Sequence, residues 1–243
     1  IACYRAWLAE GGAAPAAVAG HSLGEYAALV AAGALSLADA LPLVRLRAQA
    51  MQQAVPVGVG AMAAILGLDS AAVAEGCAQA AVASGEVVSA ANFNDPKQTV
   101  ISGTKAGVDK ACEVLKAMGA KRALSLPVSA PFHSSLMKPA AERLRERLAA
   151  TTLTTPAVPV VHTIRAAVES APARIRAALY EQAFGPVRWV QCVQAIRAHG
   201  VSTLVECGPG KVLAGLCKRI DAELESAAIY DNATLAQAKE FLA

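Results

Sequence analysis

Aromatic residues are scarce in this chain, at 4%, and charged residues reach only 17%. Neither shortage implies disorder, because 55% of the 243 residues are hydrophobic and much of that is alanine. A chain of this length buries roughly 70–75% of its unfolded surface, so it folds without a disulfide or metal staple. Basic residues are not in marked excess: 22 Lys and Arg against 19 Asp and Glu leave a net charge of +3. Nucleic-acid binders usually carry a clustered basic face, so nucleic acid is not an expected partner. The pairs Lys121-Arg122 and Lys218-Arg219 read as solvated helix ends and strand edges, with an acidic protein partner as the alternative.

Paired cysteines are also missing. Cys3, Cys77, Cys112, Cys192, Cys207 and Cys217 are scattered without a C-x-x-C. That pattern suits free thiols in a reducing compartment, and a cytoplasmic location is expected. The four histidines are equally dispersed, so no metal site is expected. The longest charge-free stretch, Ala48 to Leu68, is broken by Gln49, Gln52, Gln53, Pro56, Gly58 and Gly60. A membrane span needs about 20 mostly apolar residues in one helix, so none is expected. No signal peptide is visible. The chain begins at Ile1 in what reads as the middle of a helix, which suggests a missing N-terminal segment.

What is present alternates between helical and strand patterns. Ile1, Tyr4 and Leu8 suggest a helix to Glu10, and Ala16–Gly20 a short buried strand. Glu25–Gly33 reads as a helix, and Ser36-Leu-Ala-Asp39 as a capping box opening another that runs to about Gln53. Pro42 should bend that helix or delay its start. After Pro56 the grammar changes: strand 61–66, helix 70–83, strands 87–93 and 99–102, helix 105–118, strand 122–128. This β-α-β-β-α-β order predicts a ferredoxin-like subdomain over 57–128, inserted into a larger α/β unit of 1–56 and 129–243. The larger unit continues with helix 138–150, strand 159–162, helices 173–183 and 190–199, strand 203–206 and a closing helix 211–220. Alternating strands and helices predict a parallel sheet there.

Gly20-His-Ser22-Leu-Gly24, between a strand and a helix, has the form of a nucleophile elbow. A serine on such a strained turn needs small neighbours, and a Cβ at Gly20 or Gly24 is expected to clash. Its hydroxyl would face the N-terminus of the next helix, where the Leu23 N–H is the natural oxyanion donor. The alternative is an ordinary helix-capping serine.

A nucleophilic serine needs a base. His133 lies on a loop after the last inserted strand, His162 in an apolar strand, and His199 at a helix end; His21 adjoins the serine but should point away from it. His133 is the best placed, although His199 stays open on position alone. Because no Asp lies between His133 and Asp221, the third member need not be a carboxylate. Arg45 and Arg47 are two apart on one helix and cannot share a face, so one is solvated and the other can point inward. An inward guanidinium needs an anion, such as a substrate carboxylate. Gly208-Pro-Gly-Lys211 is not a phosphate loop: Val205 stands where the first Walker glycine belongs and Val212 where the Ser/Thr belongs.

Taken together, the motifs resemble malonyl-CoA:acyl carrier protein transacylases, the acyltransferases of bacterial fatty acid synthesis. The resemblance rests on Gly20-His-Ser-Leu-Gly-Glu-Tyr26, Arg47 with Met51-Gln52, Gly60–Gly67, Asn92-Phe-Asn94, Phe132-His133 with Leu136-Met137, and Gly208–Leu213. It implies a hydrolase-like core with a ferredoxin-like insert, and malonyl transfer from coenzyme A to the phosphopantetheine thiol of acyl carrier protein. In that scheme Ser22 is the nucleophile, His133 the acid and base, and Arg47 the carboxylate ligand. The backbone carbonyl at Gln182 would orient the histidine, and the thioester is substrate, so no cofactor is implied. Asn92 and Asn94 either line the site or serve turn chemistry. Phe132 resembles malonyl-selective relatives, in which a bulky residue leaves little room for an α-methyl branch. The chain departs from the family in lacking the N-terminal strand and Gln-Gly-rich loop that supply a second oxyanion donor. Pro42 and Val161–Arg165, where relatives are more polar, depart less. Two other functions share these motifs: a serine hydrolase or thioesterase, and an inactive module that docks carrier protein.

Overall fold

A computed structural model describes residues 1–242 as a mixed α/β fold. Helix α1 (Ala2–Ala9) leads to the two-residue strand β1 (Val18–Ala19), then α2 (Gly24–Ala31) and α3 (Leu37–Gln52). The Ser36 hydroxyl accepts the Asp39 N–H but donates to the Asp39 carboxylate, so only half of the expected capping box forms. Of the two outcomes expected for Pro42, a delayed start of α3 does not occur. Pro42 sits inside the helix, exposed, where its missing N–H costs the Ala38 carbonyl one bond. Leu43, Arg47, Ala50 and Met51 form the buried face of α3.

Next come β2 (Gly60–Leu66), α4 (Ser70–Ser84), β3 (Val88–Asp95), β4 (Gln98–Thr104), α5 (Lys105–Ala117) and β5 (Arg122–Ser125). Asp69 and Thr104 cap α4 and α5 by accepting N–H bonds from Ala72 and Gly107. The four strands form an antiparallel sheet in the order β3-β4-β2-β5, with Ile65, Ile101, Val73 and Leu115 fully buried in the core between sheet and helices. Strand β5 is shorter than its apolar run. Leu126 N–H still reaches the Met62 carbonyl, but Pro127 has no N–H to continue the ladder. Strand β3 carries register shifts between Ala90 and Asn92 and between Phe93 and Asp95. There its backbone turns to Val187, with bonds from Phe93 N–H and to Ala91 O.

A 3-10 turn (Ser135–Met137) and α6 (Lys138–Ala150) return the chain to the first part. They are followed by β6 (Val160–His162), β7 (Ala167–Val168), α7 (Pro172–Gln182), α8 (Trp189–Ala198), β8 (Thr203–Cys207) and α9 (Val212–Ile220). The chain does not close there, as the sequence suggested. Strand β9 (Glu225–Ile229) pairs in parallel with β8, and α10 (Asn232–Phe241) follows, opened by a full Asp231–Thr234 capping box. The expected single parallel sheet is two pieces among the described residues. β1 pairs in parallel with β6, β6 carries the antiparallel β7, and β8–β9 stand apart. A mostly apolar cavity of about 570 Å³ lies between β1 and β8, bordered by Tyr4, Trp7, Trp189 and Leu204.

Ile101 lies on the strand between β2 and β3 and is fully buried. Truncating it leaves a void that sheet and helices cannot close, so Ile101→Ala is expected to lose about 2–5 kcal/mol. A shift of the urea midpoint at unchanged m-value would show it; an unshifted midpoint would contradict this packing.

Candidate active site

Strand β1 ends at Ala19, Gly20 follows it, and the chain reverses through His21–Leu23 into α2. Ser22 occupies the left-handed region at φ 51°, a conformation that non-glycine residues hold only when their surroundings force it. Part of the forcing is visible at Gly20, where a Cβ would lie 2.0 Å from the Gly24 carbonyl carbon and oxygen. The expectation of a clash at Gly24 does not hold. A Cβ there meets no atom within 4 Å, because Gly24 faces the cavity between β1 and β8. Gly24, Glu25 and Tyr26 N–H groups are taken by the carbonyls of His21, Ser22 and Leu23. Among the described residues the Leu23 N–H has no acceptor, which leaves it free beside the serine.

Ser22 Oγ lies 2.7 Å from His133 Nε2, a contact spanning 111 residues. His133 is itself left-handed, at φ 59°, on the loop before α6. Its Nδ1–H donates to the backbone carbonyls of Gln182, at 3.0 Å, and Gly185, at 3.2 Å. Carbonyls only accept, so they hold the proton on Nδ1 and leave Nε2 free to receive the serine proton. Burial pushes the imidazole pKa down to about 3, helped by the charge of Arg47 and by His21, against the two carbonyl bonds. The other histidines are elsewhere. His162 is buried against Glu25, and His199 is exposed with Nδ1 on the Ala195 carbonyl. His21 turns from Ser22 to Asn94 Oδ1, at 2.9 Å.

Arg47 is buried while Arg45 is exposed. Arg47 Nη2 donates to Ser22 Oγ and to Gln182 Oε1, both at 3.1 Å. Arg47 Nε has no partner, and among the described residues no carboxylate lies within ion-pair distance of the guanidinium. A buried cation with a donor unused has room for an anionic group. Phe132 packs against two apolar clusters, the one around Leu29, Leu43 and Leu144 and the one around Met62, Ala91 and Val100. Asn94 thus joins the site through His21, whereas the Asn92 side chain makes no hydrogen bond to Ser22, His133 or Arg47. Gly208–Lys211 forms the turn into α9. Among the described residues no cluster of three metal-ligating side chains occurs, and no helix is long and apolar enough to cross a membrane. The sequence reading passed over Glu25, which is fully buried here; a charge within the apolar helix of Tyr26–Ala31 was the available signal. It also passed over Gly185, whose contribution is a carbonyl that any residue supplies.

A serine on a strained strand-to-helix turn, hydrogen-bonded to an oriented imidazole, is the arrangement found in enzymes that work through a serine ester. The chain belongs to the acyl transferase domain family, whose pattern matches residues 1–236. It is 51% identical over 240 residues to the malonyl CoA-acyl carrier protein transacylase of Escherichia coli K12, covering 99% of this chain and 77% of that one. The Bacillus subtilis protein of the same name is 49% identical over 226 residues, covering 93% and 71%. The acyl-carrier-protein S-malonyltransferase of Burkholderia pseudomallei superposes with a TM-score of 0.95 at 63% identity, over 98% of this chain and 77% of that one. A malonyl-transacylase solved in complex with a polyketide acyl-carrier protein superposes at 0.96 with 47% identity, over 99% and 77%.

The depressed His133 pKa has a direct consequence. Its imidazole stays neutral well below the ordinary histidine value of about 6.5, so Ser22 should keep its base in mild acid. Labelling of Ser22 by a fluorophosphonate is expected to run at a constant rate from about pH 8 to about pH 5. A rate that halves near pH 6.5 would contradict it.

Proposed function

We propose that this enzyme moves a malonyl group from coenzyme A to the phosphopantetheine thiol of acyl carrier protein, in fatty acid biosynthesis, through an ester on Ser22. The observation that carries the assignment is the buried Arg47 guanidinium, 3.1 Å from Ser22 Oγ and without a carboxylate partner. An acyl group ending in a carboxylate supplies the missing anion while its thioester carbon sits at the serine.

In the first half-reaction Ser22 Oγ attacks the thioester carbonyl as His133 Nε2 takes its proton. The tetrahedral oxyanion forms beside the Leu23 N–H. When the C–S bond breaks, His133 returns the proton to the coenzyme A sulfur, leaving malonyl-Ser22. In the second half the same imidazole deprotonates the carrier thiol, which attacks the ester, and the proton goes back to Ser22 Oγ. Gln182 keeps the imidazole oriented through its backbone carbonyl, in the place a carboxylate holds in other serine enzymes. Phe132 narrows the acyl pocket and Asn94 sets the wall through His21, with Asn92 beside it. The thioester is substrate and no resident cofactor takes part. The reaction belongs in the cytoplasm. Residues 57–128 act as one lobe and 1–56 with 129–243 as the other, supported by the separate apolar cores of the two parts.

Brief exposure to malonyl-CoA is expected to add one malonyl mass to the intact parent protein and none to Ser22→Ala. An adduct that hydrolyses without passing to carrier thiol would favour a thioesterase, and carrier binding without any adduct would favour a docking module. Arg47→Ala should lower malonyl transfer by about 10²-fold or more, in keeping with the loss of a desolvated charge pair, and spare or improve acetyl transfer. Equal losses for both acyl groups would remove Arg47 from carboxylate binding.

A further inference from the structure

The proposed chemistry leaves one buried charge unused. Glu25, in the first turn of α2, is fully inaccessible to solvent, yet its carboxyl is held below the ordinary value. Burial opposes ionisation, but donors from His162, Thr163 and Gln182 outweigh it. Oε1 accepts the His162 Nδ1–H at 2.7 Å. Oε2 accepts the Thr163 N–H at 3.0 Å, the Thr163 hydroxyl at 2.6 Å and Gln182 Nε2 at 3.0 Å.

The last of these bonds decides how the Gln182 amide faces. A carboxylate accepts only, so the side of the amide turned to Glu25 must be the NH2. The second proton of that NH2 reaches the Ser22 carbonyl at 2.9 Å, where it joins the Glu25 N–H at 3.1 Å. The Gln182 oxygen is thereby turned to Arg47, whose Nη2 it receives at 3.1 Å. A flipped amide would set its NH2 against the guanidinium, donor to donor, and would give the Ser22 carbonyl a second oxygen to face.

The geometry points to Glu25 as a positioning residue: through the Gln182 side-chain amide it aims the Arg47 guanidinium and clamps the carbonyl of the Ser22 turn. This rests on the assignment of Ser22 and Arg47 above, and it adds a function for the Gln182 side chain distinct from that of its backbone carbonyl. Glu25 touches neither Ser22 Oγ nor the place of the acyl group, so its influence is on selectivity before it is on chemistry.

The test compares pre-steady-state acylation by malonyl-CoA and by acetyl-CoA in the folded parent, Glu25→Met, Gln182→Met and the double variant. Glu25→Met is expected to lower the malonyl-to-acetyl rate ratio by roughly 10–100-fold, the scale of a misplaced binding group. Gln182→Met should lower it similarly, and the double variant no further than the larger single effect. Glu25→Gln, which keeps an acceptor for Gln182, should hold the ratio within a few-fold of the parent. A folded Glu25→Met with the parent ratio, or losses that multiply in the double variant, would overturn the assignment. If Glu25→Met does not fold, the Gln182 side-chain amide protons, identified by their loss in Gln182→Met, carry the test. They should exchange slowly in the parent and in Glu25→Gln, which keeps the acceptor, and exchange in the parent as fast as that of an exposed glutamine side chain overturns the assignment. Ser22→Ala in the same assay separates the two levels. Acylation at the parent rate there removes the proposed chemistry, while the amide exchange still reports on Glu25.

Discussion

Everything at the site depends on holding the Ser22 backbone in a left-handed turn that its own side chain disfavours. Such a residue costs about 1–3 kcal/mol, and the surroundings must over-determine it to keep it there. Three things do so. Gly20 allows the turn to close against Gly24, where a methyl group would lie 2.0 Å from backbone. The helix α2 begins immediately and uses the N–H groups that follow. The Ser22 carbonyl is then fastened from two directions, by the Glu25 N–H and by Gln182 Nε2. His133 meets the turn in a second left-handed conformation, so the two strained residues face each other across 2.7 Å. Strain is concentrated where the proposed proton transfer takes place.

The second theme is how two buried charges of opposite sign coexist without touching. Arg47 and Glu25 are both buried, and a direct ion pair between them would satisfy each and leave nothing for a substrate. The Gln182 amide stands between them instead. It presents its NH2 to the carboxylate and its oxygen to the guanidinium. A neutral amide relays orientation without cancelling charge, so the guanidinium keeps unsatisfied capacity toward the serine. Glu25 meanwhile is satisfied by four donors and stays ionised in a place where a lone carboxylate would be protonated. Gln182 also lends its backbone carbonyl to His133, so α7 ends at the point where His133, Arg47 and the Ser22 carbonyl are held at once.

Much of the fold was legible because its signals are local. The alternation of strand and helix over 60–125 comes from apolar spacing punctuated by Asp69, Gly85 and Thr104, each of which acts within three or four residues. Where those signals weaken, the reading failed. β7 is two exposed residues and has no apolar pattern to find. β9 and α10 follow a polar turn that looked like an end, although Asp231 and Thr234 spell a capping box. β5 is shorter than the expected 122–128 because a run of apolar residues says nothing of the N–H that Pro127 lacks. Pro42 does not delay α3, since one missing bond on an exposed helix face does not stop a helix held by its buried face.

At the site the division is sharper. The sequence alone proposed the turn at Ser22, since the absent side chain of Gly20 leaves the room the turn needs, and it determined that Arg45 and Arg47 do not share a face of α3; that Arg47 is the one that points inward was decided by the tertiary structure. Which histidine meets the serine was decided only by the tertiary structure, because 111 residues separate Ser22 from His133 and no local pattern links them. The same holds for Gln182 and Gly185, which act through carbonyls that every residue possesses. It holds most of all for Glu25, one residue past the motif. Its neighbours in sequence are apolar, and its partners arrive from β6 and α7, 137 to 157 residues away. Local backbone chemistry can be written in adjacent residues; the satisfaction of a buried charge is settled only when distant segments meet.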